Sequence, residues 1–138
     1  MTAMDPIAAG NSAHQRTILV VEDERLMLRL LEKVFSREGY QVLAVPDGEE
    51  AVEVYHRYKL KIDAVLLDVG LPKMTGWQVL SNLKQENPDV RVVIASGYLE
   101  PKRKAEMSTV GVNGFVNKPY RIDELVKTIR NVIEKNEQ

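Results

Sequence analysis

An aspartate, Asp68, ends the apolar run Ala64-Val65-Leu66-Leu67 and is followed at once by Val69-Gly70-Leu71-Pro72. Other apolar runs end the same way on groups that can do chemistry. Thr17-Ile18-Leu19-Val20-Val21 ends on Glu22 and Asp23, Val90 to Ala95 on the hydroxyl of Ser96, and Gly114 to Asn117 on the amine of Lys118. Taken alone, Asp68 also reads as a solvated loop acid, because acids are mostly exposed. Taken together, the ends of parallel strands lie at one edge of a sheet, where three carboxylates, a hydroxyl and an ammonium can converge. Carboxylates at 4 Å repel by ~4 kcal/mol per pair at an effective dielectric of about 20. One lysine does not offset that, whereas Mg²⁺, which takes hard oxygen ligands and keeps several waters, does. Such a constellation suits a phosphoryl group. The cation would hold one phosphoryl oxygen, Lys118 a second, and Ser96 with a backbone N–H the third, with Asp68 as the nucleophile that becomes an aspartyl phosphate.

Those residues need elements that deliver them. Short, fully apolar runs bounded by turn residues predict strands buried on both faces of a parallel sheet. Between them lie helical periodicities. Leu26, Met27, Leu30, Leu31, Val34 and Phe35 predict a helix over 24–38, with Leu28 off its apolar stripe and Gly39 as its C-terminal stop. Tyr40 to Val45 predicts a shorter edge strand. Asp47 caps a helix carrying Ala51, Val52, Val54 and Tyr55, with His56 on its solvent side. Trp77, Val79, Leu80 and Leu83 predict the helix after the Asp68 loop. A helix over 100–110, opened by Pro101 and rich in Lys102, Arg103 and Lys104, has few apolar residues and is expected to be the least firmly packed. Ile122, Leu125, Val126, Ile129, Val132 and Ile133 space a final helix, with Asp123 and Glu124 complementing its dipole. Five strands alternating with five helices predict a single doubly wound α/β domain.

Composition agrees. The chain has 138 residues, 44% hydrophobic and 28% charged, with a net charge of −1 and no cysteine. That is the size and balance of one globular domain. The charge supplies no global reason to bind nucleic acid directly, and no apolar stretch approaches the ~20 residues of a membrane span. Absence of cysteine fits a reducing compartment, so the cytoplasm is the expected location. Residues 1–16, which include His14, read as a leader or linker, and 17–138 as the folded domain.

In their order and spacing, Glu22-Asp23 after Ile-Leu-Val-Val, Leu-Leu-Asp68-Val-Gly-Leu-Pro72-Lys-Met-Thr-Gly76, Ala-Ser96-Gly97 and Lys118-Pro119 resemble the receiver domains of two-component response regulators. The resemblance spans roughly residues 17–135, and the Gly97-Tyr-Leu-Glu-Pro and Lys118-Pro-Tyr segments look most like receivers of hybrid sensor kinases. It implies a flavodoxin-like, CheY-like sheet in the order 2-1-3-4-5. It implies phosphotransfer to Asp68 from a histidine kinase or histidine phosphotransfer protein, with Mg²⁺ on Asp23, Asp68 and the Gly70 carbonyl and Glu22 reaching the metal through water. It implies a switch in which Ser96 turns toward the phosphoryl group and Phe115, where many members carry Tyr, moves inward. The face of helix four, strand five and helix five would then bind a downstream protein. Gly70 offers no side chain to steer water, Tyr98 could shield the phosphoryl group, and Arg121 stands where a capping Ser or Asp is usual. Two other classes compete, and the residues argue against each. A phosphatase of the haloacid-dehalogenase type wants a second Asp where Gly70 stands, and a nucleotide-binding scaffold wants a Gly-rich loop where Glu22-Asp23-Glu24 stands.

Overall fold

The computed structural model describes residues 15–71 and 74–135, so His14 and Pro72 lie outside the described residues. The elements run β1 (Thr17–Val21), α1 (Arg25–Arg37), β2 (Gln41–Val45), α2 (Gly48–Tyr58), β3 (Ile62–Asp68), α3 (Gly76–Glu86), β4 (Val92–Ser96), α4 (Pro101–Val110), β5 (Gly114–Asn117) and α5 (Ile122–Lys135). The five strands form one sheet in the order β2-β1-β3-β4-β5, with every neighbouring pair parallel. β2 is an edge, as its alternation predicts. β1 and β3 are direct neighbours, with Val21 opposite Leu67, so the residues that follow each strand emerge side by side.

Alternation along the strands builds two cores. Leu19, Val21, Val65, Leu67, Val92 and Ile94 face Ala51 and Tyr55 of α2, Val79, Leu80 and Leu83 of α3, and Met107 of α4. Ile18, Val20, Ala64, Leu66, Val93 and Ala95 face Leu31 and Phe35 of α1 and the apolar stripe of α5. With helices on both faces, β1 and β4 are buried throughout and β3 from Ala64 onward, and an apolar run without alternation is the sequence that survives there.

Local signals set the helix ends. Asp47 Oδ1 accepts the Glu50 N–H at 2.8 Å and caps α2. At α3, Thr75 Oγ1 accepts the Gln78 N–H at 3.1 Å while Gln78 Oε1 accepts the Thr75 N–H at 3.0 Å, a reciprocal capping box. Gly39, at φ +95°, follows α1 in the left-handed region that favours glycine.

The structure corrects the expected stripe of α1. Leu26 and Leu30 are 76% and 45% exposed, while Leu28 is half-buried and packs with Met27 and Val34. An apolar stripe covers only ~100° of a helix, and the one centred on Leu31 reaches 27, 28, 34 and 35 but leaves 26 and 30 beyond its edge. Ile122, expected in the core, is the first residue of α5 and is 37% exposed because that turn precedes the contact with the sheet. Two strand bounds also shift. β3 begins at Ile62, where Asp63 Oδ2 accepts the Thr17 N–H at 2.8 Å, and β4 begins at Val92, whose N–H is taken by Asn113 Oδ1 at 2.9 Å. In α4, Met107 is the one fully buried side chain, in keeping with its expected loose packing.

Candidate functional site

Sheet order turns the separate strand ends into one site. β1 stops at Val21, and the Glu22 N–H still donates to Val45 of β2 at 3.2 Å, which turns the Glu22 side chain back over the sheet end. Glu22 is 1% exposed, yet every carboxylate oxygen has a partner. Oε2 accepts the Glu24 N–H at 3.2 Å, and Oε1 accepts from Lys118 Nζ at 3.2 Å and from the Tyr120 hydroxyl at 3.4 Å. Asp68 ends β3, also buried. Its Oδ1 accepts the Gly70 N–H at 2.9 Å and its Oδ2 accepts from Lys118 Nζ at 3.2 Å. Asp23 is exposed, and Glu22, Asp23 and Asp68 each bring an oxygen within 4.8 Å of the others. Ser96 is buried at the end of β4, and its carbonyl accepts the Lys118 N–H at 2.9 Å, which fixes the root of the lysine.

Burial and charge act on these groups in opposite directions. Burial pushes the Glu22 carboxyl above its ordinary range, and the Asp68 charge adds to this, against the Glu24 N–H and Lys118. Burial pulls Lys118 down, but Asp68 and Glu22 together outweigh it and hold the amine above its ordinary value. Tyr120 is pushed far up, by burial first and then by the two acids, so its phenol stays a hydrogen-bond donor. Lys118 thus bridges two buried acids as a fixed cation. A single amine faces three carboxylates, and that imbalance is what a hard divalent cation corrects.

Glu22, Asp23, Asp68, Gly70, Ser96, Tyr98 and Lys118 line one cleft of about 700 Å³. The expected acids, hydroxyl and amine are therefore together. A Cβ on Gly70 would meet only Asp68 Oδ1 at 3.6 Å, an ordinary contact, so this glycine leaves open room beside the acceptor. Tyr98 lines the cleft and is 78% exposed. Phe115 is not in the cleft. It is half-buried on β5, against the core beneath α3 and α4, with Lys104 Nζ 4.9 Å from its ring centroid. Trp77 packs against that same core. Arg121 directly precedes α5, and its carbonyl accepts the Leu125 N–H at 2.9 Å. His56 is exposed, as expected, and its Nδ1 lies 2.8 Å from Glu86. Tyr120 is the site residue that sequence reasoning missed. Its signal was slight, an aromatic two residues past the lysine.

A parallel 2-1-3-4-5 sheet whose strand ends gather three acids, a hydroxyl and a lysine defines a doubly wound domain with an acidic cleft. The model of the family described as "Response regulator receiver domain" matches residues 18–130. The chain belongs to that family, the receiver domains of response regulators in two-component systems. It is 34% identical over 118 residues to sporulation initiation phosphotransferase F of Bacillus subtilis, covering 86% of this chain and 90% of that protein. It is 30% identical over 121 residues to the sensor kinase CckA of Brucella abortus, covering 88% of this chain but only 13% of that protein. Among solved structures, the CheX–CheY–BeF₃–Mg complex of Borrelia burgdorferi contains a chain matched at a TM-score of 0.81 and 29% identity, covering 85% of this chain and 88% of that one. Among the described residues no helix is long and apolar enough to cross a membrane.

Proposed function

We propose that Asp68 accepts a phosphoryl group from a phosphohistidine of a histidine kinase or histidine phosphotransfer protein, and that the resulting aspartyl phosphate switches binding to a downstream protein. The observation that carries this is Lys118 Nζ at 3.2 Å from a buried Asp68, with Glu22 and Asp23 oxygens within 4.8 Å. In the transfer an Asp68 carboxylate oxygen bonds to phosphorus, the P–N bond breaks, and its electron pair stays with the departing imidazole. Lys118 neutralises one phosphoryl oxygen, and Ser96 and a backbone N–H donate to another. The all-oxygen, triply acidic donor set fits Mg²⁺, which Asp23, Asp68 and the Gly70 carbonyl would hold while Glu22 reaches it through water. When bound, the cation neutralises the charge that the phosphoryl oxygens bring among the carboxylates.

The switch assigns Ser96 to turn toward the phosphoryl group and Phe115 to move inward into the space released. Phe115 has no hydroxyl, so the switch works through packing, and the face of α4, β5 and α5 carries the change to the partner. The Borrelia CheY, matched here at 29% identity and solved with BeF₃, Mg and CheX, supports the cation and the protein partner. The sensor kinase and phosphotransferase relatives support the histidine donor. We assign residues 17–138 as the receiver unit, located in the cytoplasm, with autophosphorylation and slow autodephosphorylation as its only chemistry. Incubation with Mg²⁺ and acetyl phosphate, read by intact mass, tests the reading. A stoichiometric, base-labile adduct that is absent in Asp68→Asn is expected. No adduct, an adduct that survives in Asp68→Asn, or fast continuous release of phosphate would each overturn it.

A further inference from the structure

α4 is lightly held. Its N-cap residue, Glu100, makes no side-chain cap, its residues other than Met107 are exposed, and Met107 alone is buried in the core. Lys104 lies three residues before Met107, on the same face of the helix, and sends its amine to 4.9 Å from the centre of the Phe115 ring. A cation within ~6 Å of an aromatic face is attracted by the ring quadrupole. Phe115 sits on β5, the edge strand, opposite Ile94 of β4 and two register steps from the Ser96–Asn117 pair. The ring that meets Lys104 is therefore the ring assigned to move when the acceptor site fills.

We propose that Lys104 is a positioning residue that latches Phe115 in the half-buried setting it holds beneath α4, so that this contact is made only while the acceptor site is empty. The proposal rests on the functional reading above, in which Phe115 turns inward on phosphorylation. Inward movement withdraws the ring face from beneath Lys104, and α4 loses that contact. Linkage makes the coupling reciprocal. Whatever Lys104 adds to the outward state is subtracted from affinity for the phosphoryl group. A cation–π contact at an exposed site corresponds to a factor of about two to five in an equilibrium constant.

This sign is opposite to simple charge attraction. Removing a positive residue near an anionic ligand ordinarily weakens binding, whereas removing Lys104 is expected to tighten it. The test is isothermal titration with beryllofluoride at saturating Mg²⁺ on the wild type and on Lys104→Gln, Lys104→Arg and Lys102→Gln. Lys104→Gln should bind about two- to fivefold tighter. Lys104→Arg, which keeps a cation able to stack on the ring, should match the wild type, and Lys102→Gln should bind equally or more weakly. In the free protein, hydrogen exchange of the α4 amides should speed up in Lys104→Gln but not in Lys102→Gln. Equal or weaker binding by Lys104→Gln, failure of Lys104→Arg to restore wild-type behaviour, or unchanged α4 exchange would each overturn the latch. Saturable binding in every variant with equal midpoints would remove the latch alone. No binding by the wild type would remove the functional reading and the latch with it.

Discussion

Asp68→Asn is expected to stabilise the protein when divalent cations are chelated. The substitution keeps shape and removes charge. Lys118 Nζ at 3.2 Å attracts the Asp68 carboxylate by ~5 kcal/mol at an effective dielectric of 20. Glu22, with an oxygen within 4.8 Å, repels it by at least ~3.5 kcal/mol on the same scale. Asp23 is exposed and adds ~1 kcal/mol of repulsion at the dielectric of water. The attraction is itself weakened because the Lys118 side chain is 24% exposed. Coulomb terms thus nearly cancel, and the cost of keeping a carboxylate out of water decides the sign. Asn can still accept the Gly70 N–H, and Lys118 keeps Glu22 at 3.2 Å, so no cation is stranded. The expected gain is ~1–3 kcal/mol. Urea unfolding in chelator, followed by far-UV circular dichroism, measures it, provided both proteins share one m-value. Adding Mg²⁺ should then raise the wild type far more than the variant and narrow or reverse the gap. A variant clearly less stable than wild type in chelator would refute the reasoning, because the Lys118 pairing would then outweigh crowding and desolvation. A gap indifferent to Mg²⁺ would refute the cation assignment.

Glu22 should make stability pH-dependent. Its folded pKa is raised, so the native state holds that proton more tightly, and stability falls as pH rises from the ordinary carboxylate range through the raised value. Glu22→Gln should flatten that segment of a urea-midpoint profile recorded in chelator. Gly76→Ala should lower the unfolding free energy by about 1–3 kcal/mol, because its Cβ would sit 2.6 Å from the Val69 Cα, backbone that cannot swing aside. Thr75→Ala removes the Oγ1 that accepts the Gln78 N–H, leaving only the backbone half of the capping box at α3, and should cost about 1 kcal/mol in the same assay, with Thr75→Ser restoring most of it.

Much of this protein was legible in its chain. Apolar runs closed by Asp68 and Ser96 announced buried strands with polar tips, whereas the run closed by Lys118, expected to be buried, is the half-buried edge strand β5, and Asp47 and Thr75 stood where their helices begin. Those signals are local, because a strand's burial and a helix cap depend on residues a few positions away. In α1 the apolar pattern is over-rich and does not by itself fix which face is buried. Leu26, Leu28 and Leu30 satisfied several helical phases, and only the sheet face chose among them. Lys118 reaching Asp68 across 50 positions, and Tyr120 reaching Glu22 across 98, had no local signature at all. The phenol's direction depends on how the chain leaves β5, and the contact of Lys104 with Phe115 on where α4 docks. The sequence by itself determined which groups stand at the strand ends. Tertiary structure decided which of them touch, because strand order and helix docking come from burying both sheet faces at once, and contacts of about 3 Å between distant segments follow only from that packing.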